Sequence, residues 1–235
     1  LFLILIAVAL FAFLSYVVSQ TTRGTGGDGN RENTSMRASR VIQYATYAQQ
    51  AMQRMKFRGV PADQYCFDDD NWGHNDYYHS GCDNPRNQLF SNDPAGGNVP
   101  WAKPPEEAND GSPWYFPANI CIAGQGTSVT MTCDSDGTGE SEDLIMVLPN
   151  MDYAVCMAIN KHLGIPEYAD RPPMAGPNMF AGGMPKFTGT FADGTVINSA
   201  GTDPTVVRDR QQACVEGNGN PPANTFHYYQ VLLAR

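Results

Sequence analysis

The chain has 235 residues, of which 42% are apolar and 17% charged, and its formal net charge is −9. That is ample apolar material for a core, and the length suits one domain with a stem or a two-lobed head. Six cysteines occur without any CxxC or CxxCH spacing, which excludes the common zinc-ribbon, thioredoxin-like and c-type haem signatures.

Leu1 to Val18 carries one hydroxyl, at Ser15, one phenol, at Tyr16, and no charge. As a helix it would be about 27 Å long, close to the hydrocarbon thickness of a bilayer. A surface or core helix of a globular protein shows a polar face, whereas this segment is apolar on all sides. It lacks the basic n-region and small-residue cleavage site of a removable signal peptide, and no Lys or Arg precedes it. A retained membrane helix over 1–20, exposed by removal of an upstream basic leader, is the expectation.

Residues 21–33, TTRGTGGDGNREN, hold four glycines and no apolar anchor. Glycine costs up to about 1 kcal/mol in a helix interior, so a non-helical hinge is expected here. Asn33, Thr34 and Ser35 supply helix-capping side chains and also form a glycosylation sequon. Ala38, Val41, Ile42, Ala45, Ala48, Met52 and Met55 then recur at helical spacing. They predict an amphipathic stem helix over 34–58 that packs on a sheet and stops at Gly59 and Pro61. The aromatics Phe2, Phe11, Phe13, Tyr16, Tyr44 and Tyr47 along the stem are read as packing residues.

Charge divides at the same place. Up to Arg58 there are seven basic and two acidic residues, and afterwards eight basic and twenty-two acidic. A basic stem and an acidic head suit contacts between copies of one chain, stem to neighbouring head. An anionic partner such as nucleic acid or lipid is the other reading of that asymmetry, and no specific nucleic-acid site is legible.

The head, 59–235, is rich in Gly and Pro and holds every cysteine. Residues 62–117 read as turns, tied down by Cys66, Cys82 and the three tryptophans. WYFPANICIA and TSVTMTC around Gly-Gln-Gly predict one hairpin, and KFTGTF and TVINSA around Ala-Asp-Gly a second. LIMVLP reads as a buried strand, residues 151–164 as a helix closed by Gly164, and HYYQVLL as a final strand. The expected class is α+β, with an antiparallel sheet behind the stem helix. An even cysteine count behind an export-type segment implies disulfides. Pairing between chain neighbours gives Cys66–Cys82, Cys121–Cys133 and Cys156–Cys214, because those loops are the shortest to close.

Two clusters have the composition of metal loops. DSDGTGESED, residues 134–143, places Asp134, Asp136 and Glu142 near two glycines, like the start of a calcium loop, and these three residues are the candidate calcium ligands. The twelfth position of such a loop falls on Ile145, which has no carboxylate. DDDNWGHND, residues 68–76, gathers aspartates around His74, with His79 following, but lacks spacing that fixes ligands on one face and reads as a loop. No catalytic dyad or triad is visible, so a non-enzymatic role is expected, with no cofactor beyond possible calcium.

The uncharged hydrophobic start, the amphipathic continuation to Arg58 and the cysteine-containing head together resemble the type IV pilin family. The resemblance covers the architecture of the whole chain, and its residue-level content lies in the first quarter. It implies a filament subunit that sits in the inner membrane before assembly. Copies of the same chain are its partners, bundled through their N-terminal helices and displayed on the cell surface, and any surface or host-cell ligand is left open. The family places a glutamate at the fifth mature position, where this sequence has Leu5. Leu1 and Leu5 are therefore assigned to the helix bundle, and Arg37 and Arg40 to contacts with carboxylates of neighbouring heads. The alternatives are a minor pseudopilin of a secretion apparatus and a membrane-tethered periplasmic enzyme or binding domain.

Overall fold

The computed structural model describes residues 25–68, 75–126, 142–167, 169–176, 184–192, 194–197 and 206–235. The expected membrane helix lies outside the described residues. Among those described, no helix is long and apolar enough to cross a membrane.

The protein is α+β. Helix α1, Thr25–Phe57, runs 33 residues, about 50 Å at the usual rise. It continues through Gly26, Gly27 and Gly29, so the non-helical hinge expected up to residue 33 is not found from Thr25 onward. The expected cap at Asn33–Ser35 is also displaced, because those residues lie inside the helix, where the Thr34 hydroxyl donates to the Asn30 carbonyl at 2.8 Å. Propagating a helix from a nucleus held by packing costs far less than starting one, and this offsets the glycine penalty. Gly29→Ala is a direct check, since a Cβ there meets nothing within 4 Å. It should strengthen the first turns by about 0.5–1 kcal/mol, read as slower amide exchange at residues 30–34.

At its other end α1 stops where the sequence places the stop. Gly59 takes φ +80°, its N–H donates to the Lys56 carbonyl, and the Val60 N–H donates to Met55. This is a Schellman closure, which needs a left-handed residue at that position. Helix α2, Tyr153–Leu163, closes the same way at Gly164 and is capped at its start by Asp152, whose carboxylate accepts the Val155 N–H.

Strand β2, Leu144–Leu148, and strand β4, Gln212–Glu216, flank the central strand β5, Phe226–Leu233, in an antiparallel sheet. Alternation along the strands sends Leu144, Met146, Leu148, Cys214, Tyr228 and Leu232 to the face covered by α1 and α2. Ile145, Val147, Ala213, Val215, Tyr229 and Val231 go to the other face. Both faces are buried, which explains the unbroken apolar run LIMVL. Against the helix face, α1 presents Ala38, Val41, Ala45, Ala48, Ala51, Met52 and Met55, all buried. Four of these are alanines, which allow close approach of the helix backbone.

The second face is covered by strand β1, Ile120–Ile122, paired in parallel with strand β3, Thr195–Ile197. The second expected hairpin does not form as read. The described partner of β1 is β3, and KFTGTF contributes no strand. The TSVTMTC arm falls outside the described residues. Between α1 and β1 the described residues form four short 3₁₀ turns and isolated bridges, in keeping with the turn-rich composition of 62–117.

Two disulfides are described, Cys66–Cys82 and Cys156–Cys214. Cys121 is also disulfide-bonded, and its expected partner Cys133 lies outside the described residues. One turn beyond Cys156, the Asn160 amide donates to the Cys214 carbonyl at 2.7 Å and accepts the Cys214 N–H at 2.9 Å. Helix α2 therefore holds residue 214 by its side chain and by both backbone groups. That contact closes one edge of the sheet at β4, continued by Pro173–Ala175, which exchanges backbone bonds with Glu216. At the other edge Tyr115 exchanges two bonds with Val147, and Ile145 donates to Pro117.

Candidate functional site

The residues assigned to assembly and metal binding fall in different places. Leu1, Leu5, Asp134 and Asp136 lie outside the described residues. Glu142 is fully buried beside β2, and no group of three or more His, Cys, Asp or Glu side chains among the described residues could hold a metal ion. Of the three calcium candidates, Glu142 alone falls among the described residues. His79 is engaged within the fold, its ring in contact with the Tyr65 carbonyl and accepting the Gly81 N–H.

The basic face of α1 has a use that the sequence did not disclose. Residues 94–107 form a strap that runs antiparallel along the helix, and the helix side chains meet it in reverse order. Arg58 donates to the carbonyls of Pro94, Ala95 and Gly96, and Arg54 to that of Gly97. The Tyr47 hydroxyl donates to Asn98 and the Tyr44 hydroxyl to Pro100, while Tyr44 accepts the Ala102 N–H. Arg37 forms an ion pair with Glu107. A turn-rich strap exposes carbonyls with no ladder partner, and guanidinium and phenol donors satisfy them. Gly97 suits this path because a Cβ there would lie 2.4 Å from the Leu89 carbonyl oxygen.

Arg37, Arg54 and Arg58 are thus engaged within their own chain. Arg40 is the exception. It is exposed, and its described contact is to the Met36 sulfur at 3.7 Å, a weak acceptor. Beside it a cavity of about 280 Å³ opens between α1 and the strap, lined by Arg40, Tyr44, Ala102, Lys103, Pro105 and Trp114. Tyr44 and Trp114 pack with ring centroids 5.5 Å apart. The buried Trp114 Nε1 has no acceptor among the described residues. Arg40 and Lys103 bring two cations to the wall of this cavity, and a guanidinium is a ready partner for a carboxylate. Sequence reading assigned Arg40 but not Lys103 or Trp114, because they lie more than sixty residues away in the stretch read only as turns.

No family model, curated protein or solved structure matches the chain.

Two buried titratable groups flank the sheet. Asp143 accepts the Ile122 N–H at 2.8 Å and the Arg235 N–H at 3.1 Å, yet burial, aided by neighbouring Glu142, pushes its carboxyl up to about 6. His227, in contact with the Thr225 hydroxyl, is pushed down to about 4 by burial, against a smaller opposing pull from Asp110. The signs oppose. Asp143 binds its proton more tightly when folded, so its contribution is full below about pH 4 and is lost as pH rises through about 6. His227 binds its proton less tightly when folded, so its contribution is full above about pH 6.5 and is lost as pH falls through about 4. Each is worth about 3 kcal/mol across that window. Asp143→Asn should therefore make the protein lose stability on acidification from pH 7 to 4, and His227→Gln should make it gain. Urea midpoints at both pH values, compared with the parent, check the pair.

Proposed function

We propose that this chain is a structural subunit of a type IV pilus-like surface filament, held in the inner membrane by its N-terminal segment until it assembles. The observation that carries the reading is one of continuity. The uncharged segment Leu1–Val18 leads toward α1, whose apolar stripe lies on an antiparallel sheet. A hydrophobic helix drawn from lipid into a bundle of its copies keeps its backbone bonds, and small residues such as Ala7, Ala9 and Ala12 favour close packing there. The disulfide-bonded head with its acidic excess suits the filament exterior.

The experiment is immunogold labelling of cells that make the protein, with an antibody to the head, together with mass spectrometry of sheared surface material. The expected result is labelled filaments in which this chain is a stoichiometric component. Labelling confined to the membrane, with no filaments, would reject the reading. Trace copy number in the sheared fraction would point to the minor-subunit alternative.

A further inference from the structure

We propose that the cleft between α1 and the strap seats a side-chain carboxylate from the head of a second copy of this chain. The inference rests on the filament reading and names the contact by which neighbouring subunits align. Four features of the cleft carry it.

The first is donor supply. Arg40 presents a planar set of N–H donors whose described contact is one sulfur, while Arg37, Arg54 and Arg58 are held by their own chain. Guanidinium matches a carboxylate with two parallel bonds, which fixes orientation as well as adding attraction. The second is reinforcement, because Lys103 lines the same cavity from the strap side. Glu107, the carboxylate that follows closest along the strap with Glu106, is taken by Arg37, and neither glutamate lines the cavity.

The third is size. About 280 Å³ is below the usual range for a drug-sized ligand and adequate for the end of an Asp or Glu side chain. Trp114, 2% exposed, floors it and keeps water from one side, so the pair formed there is less screened than one on open surface. The fourth is supply of the partner group. Beyond residue 58 the chain has twenty-two acidic and eight basic residues. Exposed Glu167 and Asp170 have no basic partner among the described residues. A second copy therefore brings such carboxylates at the high local concentration that a shared membrane or filament imposes.

The test uses the full chain in cells that assemble it. Arg40→Gln with Lys103→Gln, at parental membrane levels and with an unchanged urea midpoint of the purified chain, should lower sheared-filament yield at least tenfold. In parallel, p-benzoylphenylalanine replacing Pro105 should photo-cross-link two copies, and the cross-linked peptide should contain an Asp or Glu of the partner head. Parental filaments with undiminished yield from the double variant would overturn the docking and leave the filament reading standing. So would cross-links only to non-acidic segments or to other proteins. Absence of filaments from the parent would overturn the filament reading, and this contact with it.

Discussion

Phe116→Ala is expected to cost about 3–5 kcal/mol of folding stability, the range for truncating a buried aromatic where the surroundings cannot close up. Phe116 is fully buried and stacks on Phe67 with centroids 4.4 Å apart and planes 9° from parallel. Tyr77 and Phe90 meet it edge-on, each at 5.7 Å. Its backbone is also used, since its carbonyl accepts the Phe187 N–H and its own N–H donates to the Tyr77 hydroxyl. These rings are what residues 62–117 have in place of regular secondary structure. Their loss should loosen that stretch before the sheet. Urea titration followed by limited proteolysis measures both effects, with Phe57→Ala as the control. Phe57 is 85% exposed at the end of α1, and its removal should change stability by less than about 0.5 kcal/mol. Equal costs at the two positions would show that the ring cluster does not organise this stretch.

Replacing Cys156 and Cys214 together by alanine should cost about 4 kcal/mol, and replacing Cys66 and Cys82 about 3 kcal/mol, from the loop-closure relation. The separations are 58 and 16 residues, and the longer loop restricts the unfolded chain more. The first pair carries a further consequence, because Asn160 holds Cys214 from the next turn of the same helix. With the bridge gone, those two hydrogen bonds remain as the polar hold of α2 on Cys214, beside the apolar packing of Val155 and Ile159. Asn160→Ala should therefore cost more in the double-alanine background than in the parent, a coupling that a double-mutant cycle in urea reads directly. A smaller loss for the Cys156–Cys214 pair than for Cys66–Cys82 would show that chain entropy is not what separates them.

What was legible in the sequence follows from how local each signal is. The buried strand at 144–148, the helix ending at Gly164 and the final strand at 226–233 each carry their pattern within about ten residues, and each is present. The stop at Gly59 was equally local. The glycines at 26, 27 and 29 misled because propensity is a per-residue quantity, whereas helix continuation depends on a nucleus packed further along. Strand β4 was missed because QACVE is short and its burial is supplied by β5 and α2. The parallel pairing of β1 with β3 joins segments more than seventy residues apart, and the turn signal at Ala-Asp-Gly favoured a hairpin of TVINSA with KFTGTF instead.

The candidate site divides in the same way. Arg40 could be read off the helix as a cation on a basic face, but its availability is a property of its neighbours. Only the course of the strap shows that Arg54 and Arg58 serve carbonyls and that Arg37 serves Glu107. Lys103 and Trp114 reach the same cavity because Tyr44 and Tyr47 hold the strap against α1.

The sheet bears on how copies of this protein can and cannot join. Its β4 margin is occupied by Asn160 and Pro173–Ala175, and its β2 margin by Tyr115 and Pro117. An open margin is a template onto which a foreign strand can add, the route to donor-strand polymers and to amyloid. Here that template is already taken by the chain's own backbone and the Asn160 amide, so growth by strand exchange would first require peeling away a covering segment. In the proposed filament, heads crowded side by side would therefore touch through side chains without fusing their sheets, and such a polymer could be taken apart again into folded monomers.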